Sequence, residues 1–129
     1  KADFAAGCCD DAQTKACIKE IYDKYSYTLD THTAVAVKVY EDYKKATGDN
    51  TKTVIASTAS PYKFSTAVLE AIEGKVSDMD EFDKVERLHE VSGYDVPKSL
   101  AELKNKPIRF TGAIGRDEMK DFVLKSLSL

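Results

Sequence analysis

Residues 53–58 read Thr-Val-Ile-Ala-Ser-Thr, a short β-branched run with no polar alternation until its end. A strand with one wet face alternates polar and apolar residues, whereas a strand covered on both faces does not. The run therefore predicts a central strand of a parallel sheet. A polar turn follows at Ser57-Thr58-Ala59-Ser60-Pro61, and Phe64, Val68, Leu69 and Ile72 then recur at helical spacing up to Gly74. Strand, turn and helix in that order point to an α/β fold.

Two helices are expected upstream. Asp10 or Asp11 can cap the first, whose apolar stripe is Ala12, Cys17, Ile18, Ile21, Tyr22 and Tyr25. Asp30 or Thr31 can cap the second. Its apolar residues, from Ala34 and Val35 to Tyr40 and Tyr43, cover a wide arc, so it is expected to be well buried, and Gly48 sits where it should stop. Downstream, Asp80 opens a helix carrying Phe82, Val85 and Leu88, stopped by Gly93. A short helix is expected over 99–105, an extended stretch over 107–110, and a last helix capped by Asp117. These elements predict a single α/β unit over residues 1–129, a partial parallel sheet with flanking helices. Its core is expected over 10–75 and a helical tail over 76–129. Parallel sheets need several strands and one is present, so the others are expected in sequence outside this chain. The first residue, Lys1, carries the same expectation of a processed chain or a fragment, since no signal pattern follows it.

Composition narrows the function classes. A chain of 129 residues, 43% hydrophobic and 32% charged, is ordinary for one globular core. A net charge of −3 argues against a protein that works by neutralising nucleic-acid phosphates. No apolar run approaches the ~18 residues of a membrane span, so no membrane partner is expected. Cys8, Cys9 and Cys17 are odd in number and form no C-x-x-C knuckle, which predicts free thiols in a reducing, cytoplasmic setting. With Asp10 and Asp11 they lack a fourth ligand at a suitable spacing, so no metal site is assigned.

The turn after residues 53–58 is the most informative feature. Ligands of open α/β sheets bind at the carboxyl ends of strands, where Ser57, Thr58 and Ser60 stand. Their hydroxyls, beside free backbone N–H groups, suit an anion or a heteroaromatic nitrogen, or they simply cap the following helix. Asp30-Thr31-His32-Thr33 is the second candidate. His32 suits acid–base chemistry or a structural hydrogen bond at the helix entrance, and no nucleophile with a fixed partner lies nearby. His89 reads as a surface residue. No G-x-G-x-x-G, P-loop or H-E-x-x-H is present, and no catalytic residue is assigned.

Asp30-Thr31-His32-Thr33-Ala34-Val35-Ala36 and Val54-Ile55-Ala56-Ser57-Thr58-Ala59-Ser60-Pro61-Tyr62-Lys63-Phe64 together resemble the C-terminal part of the threonine synthases of the longer, bacterial and fungal type. Leu103-Lys104-Asn105-Lys106-Pro107-Ile108-Arg109 and the closing helix resemble that family's tail. The family often has Pro where Thr31 stands and His where Ser60 stands, so this turn lacks that imidazole. The resemblance implies a pyridoxal-phosphate enzyme of the tryptophan-synthase-like fold that converts O-phosphohomoserine and water to threonine and phosphate. The Schiff-base lysine and the cofactor's phosphate loop are then expected upstream, in an N-terminal remainder, and the chain alone is expected to be inactive. The resemblance assigns Thr58 to the cofactor's ring nitrogen, with Ser57 as its substitute, and Lys63 to an anionic substrate or to an outer salt bridge.

The rival reading is a stand-alone module that binds a phosphorylated small molecule at 57–60, or another protein through its seven tyrosines. An exposed edge strand would favour self-association.

Overall fold

Helix starts and stops are set by short-range chemistry, and they hold closely to the sequence. The computed structural model describes residues 3–76 and 78–128. Helix α1 spans Asp11–Tyr25. The Asp10 carboxylate accepts the Gln13 backbone N–H at 2.8 Å, and Gln13 Oε1 accepts the Asp10 N–H at 2.9 Å, a reciprocal capping box. The helix buries Thr14, Cys17 and Ile18, one narrow face at i, i+3, i+4 spacing. Helix α2 spans Thr31–Thr47, with Asp30 as its cap and Gly48 at φ 71° closing it in the left-handed region that favours glycine.

After a stretch without regular structure, Ser60 caps a 3₁₀ turn, Pro61–Phe64, that runs into α3, Ser65–Glu73. Helix α4 spans Glu81–Ser92, capped by Asp80 and closed by Gly93 at φ 70°. Short pieces follow: α5 at Lys98–Ala101, 3₁₀ turns at Glu102–Asn105 and Arg116–Glu118, and α6 at Met119–Ser126. Helix α6 begins two residues beyond Asp117, which lies inside the preceding turn rather than capping it.

Helix α1 packs on α2 and on α3, and α3 packs on α4. Between them lies a core of Ile18, Leu29, Ala34, Val68, Leu69, Val85 and Leu88. Arg87 bridges α4 to α3 through two bonds to Glu73, at 3.0 and 2.5 Å. The pair is exposed, so it contributes little beyond register.

The expected partial parallel sheet is not found. No strand occurs among the described residues, which form a helical assembly. Residues 53–58 form no regular element and pair with no other segment, and Val54 is 95% exposed. A strand needs a neighbour to take up its N–H and C=O groups, and none of the described segments pairs with this one. The stretch at 107–110 is likewise unpaired, with Ile108 and Phe110 exposed.

Helix α2 is also less covered than its composition predicts. It buries only Thr33 and Ala34 fully. Its remaining apolar face opens on a groove of about 730 Å³, lined by Ala36, Val39, Tyr40, Tyr43, Val54 and Ile55 among others. One wall is the segment around Gly7, which lies so close to α2 that a Cβ there would stand 2.8 Å from Val39 Cγ1.

Candidate functional site

The start of α2 meets the polar turn at a chain of three side chains. Asp30 is 2% exposed, and its Oδ1 accepts the backbone N–H groups of His32 at 2.9 Å and Thr33 at 3.1 Å. Its Oδ2 accepts the Thr33 hydroxyl in a short hydrogen bond. Thr33 Oγ1 also lies 3.2 Å from Ser57 Oγ, 24 residues along the chain. The carboxylate is an acceptor only, and Thr33 has one hydroxyl proton. Thr33 Oγ1 is the donor in both contacts, so its single proton is shared between Asp30 and Ser57. A second link runs beside it, where the His32 ring lies 5.0 Å from the Phe64 ring at a 47° tilt.

The other hydroxyls of the turn divide sharply. Ser60 Oγ accepts the Tyr62 N–H at 3.3 Å, so it is a helix cap. Thr58 is exposed and its hydroxyl has no hydrogen-bond partner among the described residues. Lys63 is exposed too and makes no ion pair among the described residues, so the outer salt bridge considered for it is absent there. The structure thus places Ser57, Thr58 and Lys63 on one surface-exposed turn, with only Ser57 tied to α2.

Several groups outside the two motifs make contacts of their own, with His89 exposed and Cys17 on the buried face of α1, as read from the sequence. His89 Nδ1 lies 2.6 Å from the Tyr94 carbonyl oxygen, a contact that requires the proton on Nδ1. The Tyr62 hydroxyl donates to the same oxygen, and burial pushes its pKa up. Neither contact has a spacing that would announce it. Cys17 is buried among α1 and its neighbours, and desolvation lifts its thiol to about 11, with Glu41 and Glu20 adding repulsion. All three cysteines are free. Among the described residues no group of three or more His, Cys, Asp or Glu side chains is arranged to hold a metal ion. No described helix is long and apolar enough to cross a membrane.

Comparison with known proteins bears directly on these two motifs. A family model described as threonine synthase, C-terminal, matches residues 33–123, which includes Thr33, Ser57, Thr58 and Lys63. The chain belongs to this threonine synthase C-terminal family. A protein named threonine synthase from Methylobacillus glycogenes is 35% identical over 72 residues, 56% of this chain and 14% of that protein. A human protein named threonine synthase-like 1 is 34% identical over 79 residues, 61% of this chain and 10% of that protein. The matched region is thus a small part of the length of these threonine synthase relatives. Membership in a threonine synthase family fits a chain whose two diagnostic motifs, far apart in sequence, touch through Thr33 and Ser57.

Proposed function

We propose that this chain is the C-terminal portion of a threonine synthase, a pyridoxal-phosphate lyase that converts O-phosphohomoserine and water to threonine and phosphate in threonine biosynthesis. The observation that carries the reading is the exposed Thr58 hydroxyl, without a partner among the described residues, in a turn that lies inside the matched family region. That donor set fits one edge of the cofactor. A neutral hydroxyl can face a pyridine nitrogen without holding a proton on it as a carboxylate would. The cofactor, when bound, supplies the electron sink for the chemistry at the substrate carbons.

The chain's own part is binding and orientation. Thr58 donates to the ring nitrogen and Ser57 stands beside it. Lys63 offers a positive charge at the rim, unneutralised by any carboxylate among the described residues, and suits the phosphate of the substrate. The Schiff-base lysine and the loop for the cofactor's phosphate belong to an N-terminal remainder, and the apolar groove on α2 is a surface for packing against it. The 129-residue chain alone is therefore inactive. The setting is the cytoplasm, in keeping with three free thiols.

Phosphate release from O-phosphohomoserine, by the polypeptide that joins this sequence to its N-terminal remainder, tests the reading. Release that depends on added pyridoxal phosphate is expected. No release, or release by the 129-residue chain unaided, overturns it. Thr58→Val should alter the absorption spectrum of the bound cofactor while leaving the fold in place. An unchanged spectrum removes Thr58 from the site.

A further inference from the structure

The last stretch of the chain holds most of its exposed apolar surface. Nine of the thirteen large hydrophobic residues that stand exposed among the described residues fall within 103–127. We infer that this tail is a second docking surface for the N-terminal remainder, with α6 laying the stripe Met119, Phe122, Val123 and Leu127 against it. The inference rests on reading the chain as the C-terminal portion of a longer enzyme. It goes beyond that reading, which gives the remainder only the groove on α2.

Tails that stay solvated are poor in apolar residues. This one carries them at helical spacing. Met119, Phe122, Val123 and Leu127 recur at i, i+3, i+4 and i+8, with Asp121 and Lys125 on the opposite face of α6. Such a stripe is the anchor pattern of a helix laid on an apolar surface. Nothing in the chain receives it: Phe122 is 52% and Leu127 63% exposed, and no side chain of residues 101–128 is buried. A helix of eight residues is too short to hold by propensity alone, so its stability has to come from packing that the 129-residue chain does not supply. The family match points to the source. It runs from Thr33 through Val123, so the open tail belongs to the same unit as the packed helices. In the two relatives the matched stretch is 14% and 10% of the protein, which leaves most of each as further sequence to pack against.

Charge sets the chemistry of the partner face. Residues 104–125 carry six Lys and Arg against three Asp and Glu, in a chain whose net charge is −3. Lys104 and Lys106 are taken up by Glu86 and Glu102. Arg109, Arg116, Lys120 and Lys125 make no ion pair among the described residues. The complementary face is therefore apolar with carboxylates at its rim. The rest of this chain is acidic as well, yet it buries none of the stripe.

Hydrogen exchange, read by mass spectrometry in this chain and in the polypeptide that joins it to its N-terminal remainder, tests the interface. The amides of 119–127 should exchange freely in the 129-residue chain and at least about 100-fold more slowly in the longer polypeptide. Phe122→Asp in the longer polypeptide should restore free exchange there, while the α4 peptide around Leu88 keeps its protection and reports an intact core. Phe122→Leu should keep the tail protected. Free exchange of 119–127 in the longer polypeptide overturns the inference, and so does protection indifferent to Phe122→Asp. Protection already present in the 129-residue chain overturns it too: the chain's own helices then cover the stripe, or a second copy does where protection grows with concentration. Activity is a separate readout. A protected tail in a polypeptide that releases no phosphate from O-phosphohomoserine ends the threonine synthase reading and leaves the interface standing, whereas release with an exposed tail does the reverse.

Discussion

The Tyr62 hydroxyl donates to the Tyr94 carbonyl oxygen at 2.5 Å, tying the turn before α3 to the chain just after α4 across 32 residues. The bond is partly buried, and the acceptor also takes the His89 ring. Tyr62→Phe should therefore cost about 1 to 2 kcal/mol in denaturant unfolding, the usual net value of such a bond with one partner left behind. Tyr62 also makes stability pH-dependent. Burial raises its folded pKa above the ordinary value of 10.0, so its contribution is whole below pH 10 and is lost as pH rises beyond it. Tyr62→Phe should flatten that alkaline decline, and an identical slope in the variant would refute the assignment.

The core lies among α1 to α4, and the last stretch of chain does not join it. Leu88 is fully buried, whereas Phe122 is 52% exposed. Leu88→Ala should cost about 2 to 5 kcal/mol. Phe122→Ala in the same chain should change stability by less than about 0.5 kcal/mol. Equal losses would mean that α6 packs on the core in solution.

Cys8 and Cys17 should separate chemically. Cys8 is exposed, while Cys17 is buried with its thiol pushed up to about 11. The thiolate is the nucleophile. Iodoacetamide at pH 8 should modify Cys8 and spare Cys17 until denaturant is added, as mass spectrometry of the digested chain would show. Because the Cys17 pKa is raised in the fold, its contribution to stability should fall between pH 9.0 and about 11.

Thr28 Oγ1 is the one buried side-chain oxygen without a partner among the described residues. An unsatisfied hydroxyl is costly, and valine has nearly its shape. Thr28→Val should leave stability unchanged or raise it by up to about 1 kcal/mol in thermal unfolding. A clear loss would show that the hydroxyl is bonded in solution.

Capping residues were the most legible part of the chain. Asp10, Asp30 and Asp80, with Gly48 and Gly93, act within a turn of their own helix, so nearby sequence suffices to place them. The β-branched run at 53–58 was read as a core strand and is not one. β-branched composition is a local property of Val54 and Ile55, whereas strandhood depends on a partner elsewhere. The two motifs flanking the candidate site were readable from resemblance. The Thr33–Ser57 contact that joins them was not, because the two residues stand 24 apart and no period in the sequence between them encodes it. His89 is exposed, as read, but its bond to the Tyr94 carbonyl was not legible, since a backbone carbonyl is a partner every residue possesses.

Residues 101–128 contain no buried side chain. The denaturant dependence of unfolding scales with the surface newly exposed, and a stretch already open to solvent has little to add. A urea titration of this chain should thus show the m-value of a protein of about a hundred residues. Its deficit against the full length would be a thermodynamic measure of how much of the polypeptide the folded state leaves ungoverned.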